Sequence, residues 1–311
     1  MSHILVTGGN GFIGSHLVNL LAASDQHRVT VFDLYPRPYD ALPGGVQFIQ
    51  GNLSNSNLIR RTLVDQGIDV VYHMAWTTIH ETALNNPAAD IEQNLIPSVN
   101  LLEASLDAGV KRFVYLSSGG TVYGLPETLS VREDHPTRPI NAYGVTKLTV
   151  EKYVQMYSYL YSMNYVIFRP SVPYGPYQNP HRRQGAVSVF IYHALRGEPV
   201  VIWGDGEVQR DYFYVSDLSK ALLAVLDLPE SANAVINLGG KQTYTLNQLV
   251  AAIEQALKVK IQVRYEAARK FDVPCLQLDT QAASELLHWQ PEVSLLEGIA
   301  RTAEWIKATV D

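Results

Sequence analysis

A single cysteine, Cys275, excludes a disulfide framework and a cysteine-based zinc centre. Basic residues never run longer than Arg182-Arg183 and the net charge is −6, so the basic stripe of a nucleic-acid or membrane-surface binder is missing. No apolar stretch approaches the ~18 residues that a membrane-crossing helix needs. The start, Met1-Ser2-His3-Ile4-Leu5-Val6, meets glycine before a signal-peptide core could form. Internal repeats and low-complexity segments are lacking, and the nine histidines show no metal-ligand spacing. These absences predict a soluble, cytoplasmic protein of a reducing compartment, with no metal and no nucleic-acid or membrane partner. What is present is a chain of 311 residues, 47% hydrophobic and 17% charged, enough to bury a large core in one α/β unit or two packed domains.

The first half alternates β-rich runs with amphipathic stretches. Ile4-Leu5-Val6, Val29-Thr30-Val31-Phe32, Val46-Gln47-Phe48-Ile49, Val70-Val71-Tyr72-His73 and Phe113-Val114-Tyr115-Leu116 read as buried strands of a parallel sheet covered on both faces. Helical spacing of Leu17, Val18, Leu20 and Leu21, and of Leu95, Val99, Leu102 and Leu106, makes the pattern that of a doubly wound α/β sheet. A long helix is predicted from about 142 to 163, its Tyr153, Tyr157 and Tyr161 packing on the core or on a partner chain, followed by a strand at Tyr165-Val166-Ile167-Phe168. After Arg169 prolines crowd one loop (Pro170, Pro173, Pro176, Pro180) and strands scatter, at Val200-Val201-Ile202-Trp203 and Ile261-Gln262-Val263. The expected division is a large domain over 1–172, with a return segment 212–240 whose Val235-Ile236-Asn237-Leu238 rejoins the sheet. A smaller domain takes 173–211 and 241–311.

Thr7-Gly8-Gly9-Asn10-Gly11-Phe12-Ile13-Gly14 follows the first strand and opens a helix. Gly8, Gly11 and Gly14 allow a tight turn and close approach of a pyrophosphate, which the helix amino end favours. The spacing is Gly-x-x-Gly-x-x-Gly rather than Gly-x-Gly-x-x-Gly. Asp33 ends the second strand near the ~20-residue offset at which a carboxylate accepts from a ribose 2′-hydroxyl. An acid there repels a 2′-phosphate and favours NAD over NADP, with Arg37 close by as an opposing cation.

Tyr143-Gly144-Val145-Thr146-Lys147 puts a phenol and an ammonium one helical turn apart. A free phenol, near pKa ~10, is a poor base at neutral pH, and a neighbouring lysine favours its phenolate. With these motifs stand His73-Met74-Ala75, Asn94-Leu95, Ser117-Ser118-Gly119-Gly120-Thr121-Val122-Tyr123-Gly124, Tyr174-Gly175-Pro176-Tyr177-Gln178, Trp203-Gly204-Asp205-Gly206, Arg210-Asp211-Tyr212 and Asp272-Val273-Pro274. Over essentially its whole length the chain resembles the extended short-chain dehydrogenase/reductase family, in its nucleotide-sugar epimerase/dehydratase branch. The resemblance implies a Rossmann-type doubly wound sheet with a smaller carboxyl-terminal α/β substrate domain, tightly held NAD, and a nucleoside-diphosphate sugar, UDP-linked, in the interdomain cleft. It also implies a homodimer joined through helices near 93–108 and 143–163.

Dehydratases and decarboxylases of that branch carry acids just before Val-Tyr-Gly, where this chain has Gly120-Thr121, so the pattern looks most like its 4-epimerases. That likeness implies inversion at C4 of a UDP-sugar of the glucose/galactose type through a 4-keto sugar. Tyr143 takes the 4-hydroxyl proton while C4 hydride passes to NAD and returns to the other face, and Lys147 lowers the Tyr143 pKa and holds the nicotinamide ribose. The family's hydroxyl residue aligns with Gly119, which leaves Thr121 or Ser118 to replace it. Carried over in the same way, the cofactor side comprises Phe12, Ile13, Leu34, Asn52, Leu53, Met74, Ala75, Thr77, Asn94, Ser117, Pro170 and Ser171. The substrate side comprises Thr121, Tyr143, Val172 (in place of a usual asparagine), Val187, Arg210, Arg269 and Asp272, the two arginines being placed to clamp phosphates. His181, Arg182 and Arg183 lie on the cleft loop. Two other readings stay open: a nucleotide-sugar 4-ketoreductase or dehydrogenase using free NAD(P)H, and a redox-sensing binding protein, against which the Tyr143/Lys147 pair argues.

Overall fold

The computed structural model describes residues 2–182, 185–269 and 273–310. Six strands, β1 (His3–Thr7), β2 (Arg28–Asp33), β3 (Gln47–Gln50), β4 (Val70–His73), β5 (Arg112–Leu116) and β6 (Tyr165–Pro170), join Ala234–Leu238 in one sheet. Its order is Ala234–Leu238, β6, β5, β4, β1, β2, β3, and every pairing is parallel. Chain order therefore reverses between β1 and β4, the position at which doubly wound sheets open a crevice at their strand ends.

The near-continuous apolar strands serve two cores. Ile4 and Val6 of β1, Val114 and Leu116 of β5, and Val166 and Phe168 of β6 face a cluster with Leu17, Val18, Leu218 and Leu222. The alternate residues Leu5, Phe113, Tyr115 and Ile167 face another, with Leu101, Leu102, Val150 and Val154. The predicted return of 235–238 to the sheet is observed, one residue longer, beside β6. A third cluster, including Val187, Ile191, Val200, Ile202, Ile253, Ile299 and Ile306, belongs to the carboxyl half together with its neighbouring loop segments.

Two expectations shift. The long helix runs Ala142–Tyr161 and stops there because Ser162 adopts φ 58° and returns its N–H to the Ser158 carbonyl. Tyr153 and Tyr157 pack on the core, and Tyr161 meets the Tyr157 ring at 5.4 Å. The strand predicted at 261–263 instead runs Val263–Glu266, parallel to Val200–Trp203. Its start is delayed because the Ile261 N–H is taken by the Glu254 carboxylate at 2.9 Å.

Candidate active site

At the carboxyl ends of β1 to β6 the loops enclose a cleft of about 1620 Å³. Pockets for one drug-sized ligand span roughly 300–1,000 Å³, so there is room here for two molecules end to end.

The glycine loop forms the floor at one end. Gly8, at φ 73°, turns the chain out of β1, and its carbonyl accepts from Gly11 N–H. A Cβ on Gly8 would lie 2.7 Å from the Ala75 backbone, and one on Gly14 would lie 2.2 Å from the Gly8 carbonyl oxygen. Gly11 caps the Phe12–Ala23 helix without a side-chain bond, and no acid stands in its first turn. The first-turn N–H groups thus face the cleft beside Phe12 and Ile13 with no helical acceptor of their own. Asp33 closes the rim, its carboxylate accepting from Asn10 N–H at 3.0 Å and Tyr35 N–H at 3.4 Å, while partial burial holds its pKa above the ordinary value. Arg37 is not available to a 2′-phosphate. It is buried, donating to Asn19 Oδ1 at 2.8 Å and the Ser15 carbonyl at 3.3 Å, with Asp40 at 3.4 Å. An anion-binding turn with an acid at the ribose position, and an arginine engaged elsewhere, fit the dinucleotide NAD.

Leu34, Asn52, Leu53, Met74, Ala75, Thr77, Asn94, Ser117, Pro170 and Ser171 all line the cleft. Several are engaged within the protein. Asn52 Oδ1 accepts from Ser54 N–H at 2.9 Å, Ser171 donates to the Asp211 carbonyl at 2.7 Å, and Ser117 donates to Glu151. Glu151 is itself buried against Arg169, at 2.6 Å. Asn94 sits in a π-helical turn, Ile91–Leu95, of a kind frequent at functional sites. Its amide buttresses the loop after β4, accepting from Thr77 N–H at 2.9 Å and donating to Asp90 at 2.9 Å and Thr78 at 3.1 Å.

Tyr143 and Lys147 reach the cleft from the first turns of the Ala142–Tyr161 helix, which Asn141 caps through Gly144 N–H at 2.8 Å. Lys147 Nζ donates to the Leu116 carbonyl at 2.8 Å and lies 5.8 Å from the Tyr143 ring centroid. Burial pushes the Lys147 ammonium down to about 7, with Asp90 and Glu151 pulling it back, and burial and Asp90 both push the Tyr143 phenol up.

Ser118 and Thr121 line the cleft, whereas Gly119 does not. A Cβ on Gly119 would meet Leu278 at 2.4 Å and the Arg169 carbonyl oxygen at 2.7 Å, so a hydroxyl at that position would point into packed interior. Val172, Arg210 and Arg269 line the opposite wall, with His181 and Arg182 at the loop above. Arg210 donates to the Val273 carbonyl at 2.6 Å, and the Arg269 guanidinium lies 4.4 Å from the Trp203 ring centroid. Val187 is a correction. It is buried in the third cluster and absent from the cleft, because the Ala186–Arg196 helix turns Ala186, Val189 and Phe190 there instead. Asp272 and Arg183 lie outside the described residues.

Sequence reasoning missed contributors at three places. Asp90 is fully buried, four residues before Asn94, and takes the Thr146 hydroxyl at 2.5 Å. Trp76 lies over Lys147, a lone large aromatic between Ala75 and Thr77. Tyr39 and Tyr177 meet at 6.2 Å on the rim, and Trp305 of the last helix packs on them at 4.8 and 5.8 Å. Their signal is spatial rather than local, apart from the helical spacing of Asp90 and Asn94.

The NAD dependent epimerase/dehydratase family matches residues 4–239. A protein of Methanocaldococcus jannaschii named as a putative UDP-glucose 4-epimerase is 34% identical over 305 residues, covering 98% of each chain. Among solved structures, a UDP-glucose 4-epimerase of Thermotoga maritima with UDP-glucose superimposes with a TM-score of 0.94 at 35% identity, covering 99% of this chain and 100% of that one. A Thermus thermophilus UDP-glucose 4-epimerase in complex with NAD does so with a TM-score of 0.92 at 32% identity, covering 99% and 100%. The chain therefore belongs to the NAD dependent epimerase/dehydratase family.

Proposed function

We propose that the protein is an NAD-dependent isomerase that inverts C4 of a UDP-sugar of the glucose/galactose type through a transient 4-keto sugar. The observation that carries this reading is the Tyr143–Lys147 pair in one cleft with the glycine loop, with Gly120 and Thr121 where an eliminating enzyme would need acids. The relatives' names and their UDP-glucose and NAD complexes support the same reading.

Gly8, Gly11 and Gly14 with Phe12 and Ile13 would hold the pyrophosphate of NAD, Asp33 its adenosine ribose, and Lys147 its nicotinamide ribose. Held there, NAD would supply a reversible hydride acceptor for the C4 carbon. The protein's part is to move one proton and to exclude water. The Tyr143 phenolate accepts the O4 proton and later returns it, with the Lys147 ammonium favouring the phenolate. Arg210 and Arg269 would bind the diphosphate from the carboxyl half, which we take to be the substrate unit over 173–211 and 241–311. The same reading makes the protein a cytoplasmic homodimer; Ile96, Met156, Leu160 and Tyr161, apolar and exposed on the two helices concerned, suit such a contact.

The test is incubation of purified protein, without added cofactor, with UDP-glucose, UDP-N-acetylglucosamine and UDP-glucuronate separately, and proton NMR of the anomeric signals. Appearance of a 4-epimer is expected. Activity that needs stoichiometric NAD(P)H and a 4-keto sugar would replace the epimerase with a ketoreductase. Because Gly119 carries no hydroxyl, Thr121→Val or Ser118→Ala should lower kcat by about tenfold or more, the order of one lost hydrogen bond to a charged group. If both variants kept full turnover, neither hydroxyl would serve O4.

A further inference from the structure

The geometry points to an aromatic cage around Lys147, with Trp76 as its principal wall and a positioning residue for the Tyr143–Lys147 pair. This inference rests on the reading of that pair as the proton-transfer machinery. Lys147 Nζ lies 3.7 Å from the Trp76 ring centroid, 5.1 Å from that of Tyr115 and 5.8 Å from that of Tyr143. An ammonium offers three donors. One goes to the Leu116 carbonyl at 2.8 Å, and the indole face meets a second, which leaves one for a hydroxyl in the cleft.

The cage matters because the neighbouring carboxylates are committed elsewhere. Asp90 accepts from Thr78, from Asn94 at 2.9 Å and from Thr146 at 2.5 Å. Glu151 accepts from Ser117 and from Arg169 at 2.6 Å. They act on Lys147 through space, while its buried charge is held by the Leu116 carbonyl on one side and the aromatic face on another. Trp76 is anchored in turn, its Nε1–H donating to Thr78 Oγ1 at 3.1 Å, and its ring meets that of Tyr143 near edge-on at 5.9 Å and 72°. One side chain thus fixes both the cation and the phenol. It also walls the cleft beside them.

The charged and titratable groups facing Lys147 are Asp90, Glu151, Tyr143, Tyr115 and His73, the last neutral because burial pushes it down to about 3. Trp76→Leu leaves these in place and keeps a smaller apolar cover over the ammonium, so the principal loss is the π face. The ammonium form then becomes less favourable, and Lys147 loses its proton at lower pH.

The experiment compares Trp76→Phe and Trp76→Leu in the NAD-loaded enzyme, by kcat, KM and the pH profile of kcat/KM. Tryptophan emission on adding NAD to cofactor-free protein gives a readout independent of turnover. Trp76→Leu is expected to lose about tenfold in kcat, the order of a desolvated cation–π contact, with KM little changed. Its alkaline limb should move about one pH unit down. Trp76→Phe should recover most of the rate and lie between the two in pH. NAD should quench wild-type emission, and much of that quenching should vanish in Trp76→Phe. A Trp76→Leu enzyme with wild-type kcat and alkaline limb would overturn the proposal, as would equal losses in both variants with unmoved limbs. If Trp76→Leu fails to fold, an unmoved limb in Trp76→Phe overturns it alone. Should the wild type epimerise no UDP-sugar, the proposed function fails, while the emission of Trp76→Phe still decides whether Trp76 faces the bound dinucleotide.

Discussion

Tyr143→Phe is expected to lower kcat by about a thousandfold while the protein still binds NAD. The substitution removes one oxygen and keeps the ring that packs beside Trp76. Positioned acid–base groups contribute about 10²–10⁴-fold, and the upper part of that range applies where no second base can substitute. Asp90 is tied to three donors, and His73, kept neutral by burial, is engaged with Thr7 and Ser98. The pH profile should change with the rate. In the wild type the phenol, which burial and Asp90 push up, and Lys147, which burial pushes down, titrate as a pair: activity rises as the pair sheds its first proton and falls as it sheds the second. Without the phenol the rising limb disappears, whereas the residual rate still reflects Lys147. Anomeric NMR rates across pH, with NAD released from denatured protein and counted, check this. A variant within tenfold of wild type would mean that another group takes the O4 proton.

Gly14→Ala should abolish retention of NAD and lower the melting temperature by several degrees. The added methyl would stand 2.2 Å from the Gly8 carbonyl oxygen and 2.7 Å from Gly9 Cα. Both obstacles are backbone, so no side chain can swing aside. Either the helix moves off the strand or the loop opens, and the array of first-turn N–H groups loses its geometry in both cases. Overpacking of this kind costs about 1–3 kcal/mol before any loss of binding is counted, which corresponds to several degrees in a domain of this size. Gly44→Ala is the control, since a Cβ there meets nothing within 4 Å. Its NAD content and melting temperature should match the wild type. Normal NAD content in Gly14→Ala would remove the glycine loop from the binding site.

How much of this the sequence announces depends on how local each signal is. Strand–glycine loop–helix, the acid at the end of β2 and the Tyr143/Lys147 spacing are each contained within a few residues or one turn, and the structure brings them to one cleft. The near-continuous apolar runs of β1, β5 and β6 are legible because both faces of each strand meet a core. Val187 is misjudged from sequence because a helix rotates its positions by about 100° per residue, and sequence alignment does not say which of Ala186, Val187 or Val189 turns toward the cleft. The strand expected at 261–263 begins later because a carboxylate seven residues back captures the Ile261 N–H. Trp76 and Asp90 owe their importance to β5 and the Ala142–Tyr161 helix, whose arrival beside them no local pattern encodes.

The rim of the cleft has a consequence for biosynthesis. Tyr39, just beyond the glycine loop and its acid, rests against Trp305 in the last helix, Leu295–Thr309. Amino-terminal segments leave the ribosome first and begin to fold as units. A nascent chain can therefore assemble β1 to β6 with the nucleotide cradle between them while its rim still lacks a tryptophan that follows β6 by well over a hundred residues. Closure over the cradle waits for the Leu295–Thr309 helix, and a chain cut short before Trp305 would leave that edge open.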